Sequence, residues 1–210
     1  MLAAVNRRQH ALWLVERDSA FTDLVSAVGA PPVRRATAVP QRFPTLIRSI
    51  THQLLATSAA ESIHRRVVAL CDGDVSVDTV LRVGADELKT AGLNRAKANA
   101  MVELAYYVQS GLVDLNTHGR RRDDEIIREL TAVKGIGPWT VQMYLMHTLA
   151  RHDVWPVGDY GVRNGWSILH QLPETITPKE LAVAGDIFRG FRSDVAWYCW
   201  QAADRRRAAK

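Results

Sequence analysis

Apolar residues recur every three to four positions along almost the whole of this 210-residue chain, and no strand-length run alternates apolar with polar. That period is one face of an α-helix, so it confines the chain to an all-α fold. Glycines punctuate it. Gly29 ends a run carrying Phe21, Leu24, Val25 and Val28, Gly84 and Gly92 close short helices at 77–83 and 86–91, and Gly111 follows a longer one at 94–109. Start signals stand opposite these stops. Ser19 reads as an N-cap, Pro44 opens a helix with Leu46, Ile47, Ile50 and Leu54 on one side, and Ser193 caps a last helix. Ser58-Ala-Ala-Glu61 and Thr177-Pro-Lys-Glu180 both read as capping boxes. Roughly ten short helices and no sheet are expected.

Residues 130–141 read Leu-Thr-Ala-Val-Lys-Gly-Ile-Gly-Pro-Trp-Thr-Val. Ile126, Ile127, Leu130 and Val133 form an apolar stripe, so a helix packs before the two glycines and a second begins after them. Gly135 and Gly137 are expected to adopt backbone angles that side chains forbid and to leave the backbone bare. The amides opening the second helix can then hold an anion, aided by the helix dipole. Pro138 suits the first helical turn, and Lys134 adds charge at the mouth. A tight helix–helix turn is the plainer reading of Gly-x-Gly. The register of Leu130, Val133, Pro138, Trp139 and Thr140 favours a phosphate clamp. Asp159 lies 22 positions after Gly137 (159 − 137), at the start of the next helical stretch. It reads as an N-cap, as a carboxylate for chemistry beside a bound strand, or as both.

Composition narrows the partners. A net charge of +5 favours an anionic partner, though weakly. The two cysteines, Cys71 and Cys199, fit no metal spacing and read as buried thiols in a reducing compartment. Seven histidines show no ligand spacing either. Arg7 and Arg8 precede only a short apolar run, 11–15, which is neither a signal peptide nor a membrane span. A cytoplasmic, nucleoid-associated location is expected. Arg120–Arg122 before Asp123–Glu125 reads as a solvated loop and helix start.

The hairpin followed by an aspartate resembles the helix-hairpin-helix DNA glycosylase superfamily, and within it the alkylated-purine branch. Four segments carry the resemblance: Ile50-Thr-His-Gln53-Leu54-Leu55 with Ser58-Ala-Ala60; Leu88-Lys-Thr-Ala-Gly92-Leu93 with Lys97; the hairpin; and Trp155-Pro-Val-Gly-Asp159-Tyr-Gly-Val-Arg163-Asn-Gly165. It covers roughly Phe43 onward. Some relatives carry an extra N-terminal mixed α/β domain; a compact form with only the two helical lobes is expected here. The resemblance implies a two-lobed fold with a DNA-binding cleft, residues 43–155 forming the central lobe and 1–42 with 156–210 the other.

The resemblance also implies roles. Asp159 is catalytic; Lys134, Gly135, Ile136, Gly137, Pro138 and Thr140 form the DNA-binding hairpin; Leu54 with Gln53 forms the intercalating wedge, Leu55 being its nearest rival. Trp139, Met143 and Phe191 line the base pocket. Relatives with a lyase step carry a lysine where Trp139 stands, so removal of the base without strand cleavage is expected. Met143 replaces an aromatic of relatives, which bears on the lesion range. Trp155, Tyr160 and Trp166 are expected to pack, and Asp153, Asp186 and Asp194 to lie at the surface or at caps. Iron–sulfur relatives have four clustered cysteines, which this chain lacks, so no metal cofactor is expected. A monovalent cation at the hairpin carbonyls near 134–136 is compatible with the family. The implied activity is excision of alkylated purines such as 3-methyladenine and 7-methylguanine from duplex DNA by a monomer. Excision of oxidised or mismatched bases, or lesion binding without catalysis, are the rivals.

Overall fold

Helix ends in this chain are set by local chemistry. The computed structural model describes residues 7–55 and 57–208. Eleven α-helices run through them: α1 Arg7–Arg17, α2 Thr22–Val28, α3 Arg42–His52, α4 Thr57–Leu70, α5 Val77–Thr90, α6 Arg95–Gln109, α7 Asp123–Thr131, α8 Pro138–Met143, α9 Tyr160–Leu169, α10 Pro178–Ala184 and α11 Arg192–Ala208. No strand occurs among the described residues. Gly84 interrupts α5 with φ 73° and ψ 168°, so the two short helices expected there meet across a kink. Asn94 caps α6 by accepting from the Lys97 amide at 2.9 Å. Thr177 and Glu180 bond reciprocally in the expected capping box.

Three expected caps fall differently. Asp18, not Ser19, accepts the Ala20 amide, at 3.0 Å, because its longer reach spans the 3-10 turn Ser19–Phe21 before α2. Ser58 lies inside α4, and Glu61 turns to Arg48 and His52 on α3 instead of closing a capping box. Ser193 lies inside α11 and serves the preceding segment, accepting the Val154 amide at 3.0 Å and donating to the Arg151 carbonyl at 2.8 Å.

Contacts divide the chain into two compact units: Arg35–Ala150 forms one, and Met1–Arg34 with Arg151–Lys210 forms the other. Hydrogen bonds explain these limits, which differ from 43 and 155. The Thr37 amide bonds to the Thr148 carbonyl, and the buried Arg42 guanidinium donates to the Leu115 and Asn116 carbonyls, so 35–42 belongs with α3. Trp155 donates to the Leu181 carbonyl at 2.8 Å, so 151–155 belongs with α10 and α11.

The unit Arg35–Ala150 packs α3 to α8 around Leu46, Ile47, Ile50, Leu88, Met101 and Leu104, all wholly buried. Beneath α7 lies a polar knot. His118 bonds to the Tyr144 hydroxyl and to Glu129, each at 3.0 Å, while Glu129 also takes the Asp114 amide and pairs with Arg121. This ties the loop before α7 to α7 itself, the first helix of the hairpin; Arg121 thus has a structural partner rather than a purely solvated place. After α8 the chain widens into a π-turn, Tyr144–Thr148, with Leu149 N–H bonding five residues back to the Tyr144 carbonyl at 3.0 Å.

The other unit is built on aromatic rings. Phe21, Trp166 and Phe188 meet edge to face at 5.8–6.1 Å, and Trp155 meets Trp166 at 6.1 Å. Helices α9 and α11 cross closely because α9 presents Gly161 and Gly165, four apart and on one face. A Cβ on Gly165 would stand 1.8 Å from the Cys199 carbonyl oxygen. Cys71 and Cys199 are buried, free and in different units. Among the described residues no helix is long and apolar enough to cross a membrane.

Candidate nucleic-acid interface and carboxylate site

The hairpin turn spans α7 to α8 in the unit Arg35–Ala150. Ala132 ends α7, Ile136 N–H bonds to the Val133 carbonyl at 3.1 Å, and Gly137 is the N-cap of α8 with Pro138 at the first position. The two glycines are there for different reasons. Gly135 has φ 94°, and a Cβ on it would lie 2.8 Å from the Ala100 Cβ on α6. Both its angle and its packing require glycine. Gly137 has φ −90° and ψ 169°, ordinary extended backbone, which corrects the expectation of a forbidden angle. Its missing side chain faces open space, with nothing within 4 Å. The first turn of α8 carries the positive end of the helix dipole. Lys134 is exposed beside it.

Gln53 ends α3 close to this turn. Its amide donates to the Thr140 hydroxyl at 2.8 Å and to the Gly135 carbonyl at 3.2 Å. Gln53 therefore points back into the hairpin and not outward alongside Leu54. The Gly135 carbonyl, one of those near which a monovalent cation is compatible with the family, accepts from this amide. Leu54 behaves oppositely. Its φ is 54°, and its side chain is 103% exposed. A leucine in the left-handed region costs about 1–2 kcal/mol, and here it leaves an apolar side chain wholly in water. Leu55 is 41% exposed and has no such angle among the positive-φ residues.

Trp139 follows in the first turn of α8, with 38% of its surface exposed, and Met143 lies one turn later, half-buried. Phe191 is in the other unit, edge to face with His10 at 4.1 Å and Trp13 at 5.1 Å.

Asp159 is the N-cap of α9. Its Oδ1 accepts two bonds, from the Val162 amide at 2.8 Å and from the Trp200 indole Nε1–H at 2.9 Å. Two donors on one oxygen hold the carboxylate in a single orientation. Gly161 makes room for the indole: a Cβ there would meet Trp200 Cδ1 at 2.9 Å. Trp200 is a residue the sequence reading missed, and its signal was the Gly161–Gly165 pair, which announces a helix crossing at close range.

The remaining candidates are structural. Asp153 pairs with Arg192, Asp186 with Arg189, and Asp194 with Arg34. Burial raises the Asp153 carboxyl, but bonds from the Arg192 side chain and from nearby backbone outweigh it and hold the group below the usual carboxylate range. Trp155 and Trp166 are buried as expected, whereas Tyr160 is 63% exposed and lies under the Arg163 guanidinium. No group of three or more His, Cys, Asp or Glu side chains among the described residues could hold a metal ion.

Comparison with known proteins places these features in a family. Residues 47–186 match the HhH-GPD superfamily, described as base excision DNA repair proteins. DNA-3-methyladenine glycosylase 1 of Schizosaccharomyces pombe is 31% identical over 189 residues, covering 89% of this chain and 83% of the relative. The structure of the 3-methyladenine DNA glycosylase of the same yeast with abasic DNA superposes with a TM-score of 0.84 at 30% identity, over 92% of this chain and 95% of that one. A DNA-3-methyladenine glycosidase structure from Bacillus halodurans gives 0.78 at 30% identity, over 93% and 89%.

Proposed function

The chain belongs to the HhH-GPD superfamily of base excision DNA repair proteins, and from that premise we propose that it hydrolyses the N-glycosidic bond of alkylated purines in duplex DNA without cutting the strand. It is an alkylbase DNA glycosylase, and double-stranded DNA with a damaged base is its substrate. The observation that carries the mechanism is the Asp159 carboxylate, held by the Val162 amide and the Trp200 indole on one oxygen.

A base inside a duplex is out of reach, so its nucleotide must be extruded at a cost of a few kcal/mol. Leu54 fills the gap left in the stack; burying a side chain that is otherwise in water returns about 1.5–3 kcal/mol. The backbone of 134–138 and the first turn of α8 hold a phosphate, with Gly137 leaving room for it. Thr140, bonded to Gln53, fixes the wedge to this turn. Bond cleavage builds positive charge on the deoxyribose, which the Asp159 carboxylate stabilises while it orients the attacking water. An alkylated purine is already electron-poor and departs with little acid assistance. Trp139 offers no amine for a Schiff base, so the strand stays intact. Its exposed ring favours a cationic base by about 1–2 kcal/mol. Met143, one turn after Trp139 on the same helix, meets the base beside it in this reading. The two cysteines cannot supply a four-thiolate cluster.

Purified protein incubated with duplexes carrying 7-methylguanine, 3-methyladenine, 8-oxoguanine or a mismatch tests this directly. Release of the methylated purines is expected, with strand breaks only after alkali. Release of 8-oxoguanine alone, or breaks without alkali, would contradict it. Binding without any release would leave a lesion-binding protein. Affinity is expected to fall steeply with salt, since phosphate contacts dominate.

The two glycines separate clamp from scaffold. Gly135→Ala is expected to cost about 2–4 kcal/mol of stability through its angle and its clash with Ala100. Gly137→Ala is expected to cost no more than about 1 kcal/mol, as loss of a glycine N-cap, while weakening binding to damaged and undamaged duplex alike. Denaturant unfolding beside fluorescence-anisotropy titrations checks both; full affinity in Gly137→Ala would remove the phosphate from this turn.

A further inference from the structure

Helix α6 touches both DNA-contacting elements of its unit along one face. Lys97 Nζ donates to the Thr51 carbonyl at 2.8 Å and to the Gln53 carbonyl at 2.6 Å, the last carbonyls of α3. One turn on, Ala100 is the residue against which Gly135 packs. One turn further, the Glu103 carboxylate accepts the Lys134 amide at 3.1 Å. Positions 97, 100 and 103 are three apart and share a helix face.

Lys97 is an unusual choice for such a place. It is 8% exposed, and burial lowers the pKa of its ammonium group, so it is held there against a desolvation cost. An ammonium with three donors is suited to collect two carbonyls at a helix C-terminus, where the dipole is negative. The second of those carbonyls belongs to Gln53, the residue directly before Leu54 with its φ of 54°. The bond to Lys97 therefore pins the peptide that aims the leucine outward.

We propose that α6 acts as a spacer fixing the wedge at a set distance from the phosphate clamp, with Lys97 as the positioning residue for Leu54. Gln53 closes the same triangle from the other side, through Thr140 and the Gly135 carbonyl. Phosphate gripping and stack filling then occur in one register, because neither element can shift without the other. This rests on the reading of Leu54 as the wedge.

The test is a double-mutant cycle in single-turnover base release, with extrusion followed by a fluorescent base beside the lesion. Lys97→Met and Lys97→Gln are each compared with Leu54→Ala and with the corresponding doubles, and melting curves are recorded for all. Leu54→Ala is expected to slow extrusion more than it lowers affinity for undamaged duplex. Lys97→Met is expected to slow release about 10- to 100-fold, as misplacement of a positioned group does, with affinity for undamaged duplex changed less than about 3-fold. Lys97→Gln, which keeps an amide donor for one carbonyl, is expected to fall between. In the Leu54→Ala background the Lys97 substitutions are expected to have little further effect, because there is no wedge left to aim. Fully additive losses would make Lys97 a plain stability residue and overturn the proposal. If Leu54→Ala extrudes normally, the wedge reading itself fails, a result distinct from a Lys97 variant that releases base at the wild-type rate. Should Lys97→Met not fold, the Gln variant and its double decide the same question.

Discussion

Asp159→Asn is expected to cut base release by about 10²- to 10³-fold or more while leaving lesion binding and folding nearly intact. The structure says why the two effects separate. The carboxylate oxygen Oδ1 accepts from the Val162 amide and the Trp200 indole, and the carbonyl of an asparagine can accept the same two bonds. Asparagine is as good an N-cap as aspartate. What it lacks is the negative charge that, in the proposed mechanism, balances the developing oxocarbenium ion. Single-turnover release from a 7-methylguanine duplex, beside a binding titration and a melting curve, reads all three properties. Release near the wild-type rate would remove Asp159 from the chemistry. Trp200→Phe is the companion variant: it keeps a ring and deletes the donor, so release is expected to fall less than in Asp159→Asn. Asp153→Asn serves as a contrast. It breaks the pair with Arg192 and is expected to cost about 1 kcal/mol, the pair being partly exposed, with release unchanged. Because the folded state holds the Asp153 carboxyl low, its contribution is present above about pH 4 and is lost as pH falls through the depressed value.

The second large effect is on stability. Gly165→Ala is expected to cost about 3 kcal/mol or more. A single methyl there would sit 1.8 Å from the Cys199 carbonyl oxygen, 2.4 Å from its carbon and 2.8 Å from its Cα. All three are backbone atoms of α11, so no rotamer change relieves the clash and the helices must separate. The same two helices bring Trp200 to Asp159, so base release is expected to fall along with the unfolding midpoint. Gly158→Ala is the control, since a Cβ there meets nothing within 4 Å and the residue lacks a positive φ. An unfolding free energy from denaturant curves within about 0.5 kcal/mol of wild type for Gly165→Ala would show that α9 and α11 do not cross as described.

Much of the candidate site was legible in the residues. The hairpin, its helices and the cap position of Asp159 all follow from glycine and proline placement and from apolar spacing, which act within a few residues. The errors were also local in kind. Ser19, Ser58 and Ser193 each have the chemistry of a cap, but Asp18, an ion-paired Glu61 and the 151–154 segment competed for the same bonds. The resemblance grouped Gln53 with Leu54, and the partners its amide finds in the hairpin lie 82 and 87 residues away in sequence. Tyr160 looked like a packing residue because it is aromatic, and it lies at the surface.

Helical period, caps and glycine stops are properties of neighbouring residues, so they could be read without coordinates, and they carried the all-helical class, the hairpin and the candidacy of Asp159. Which indole steadies that carboxylate, which lysine holds the turn before Leu54, and why Gly137 is bare depend on side chains brought together across 41 residues, 44 residues or open space. Such meetings are products of packing, and no short window of sequence contains both partners.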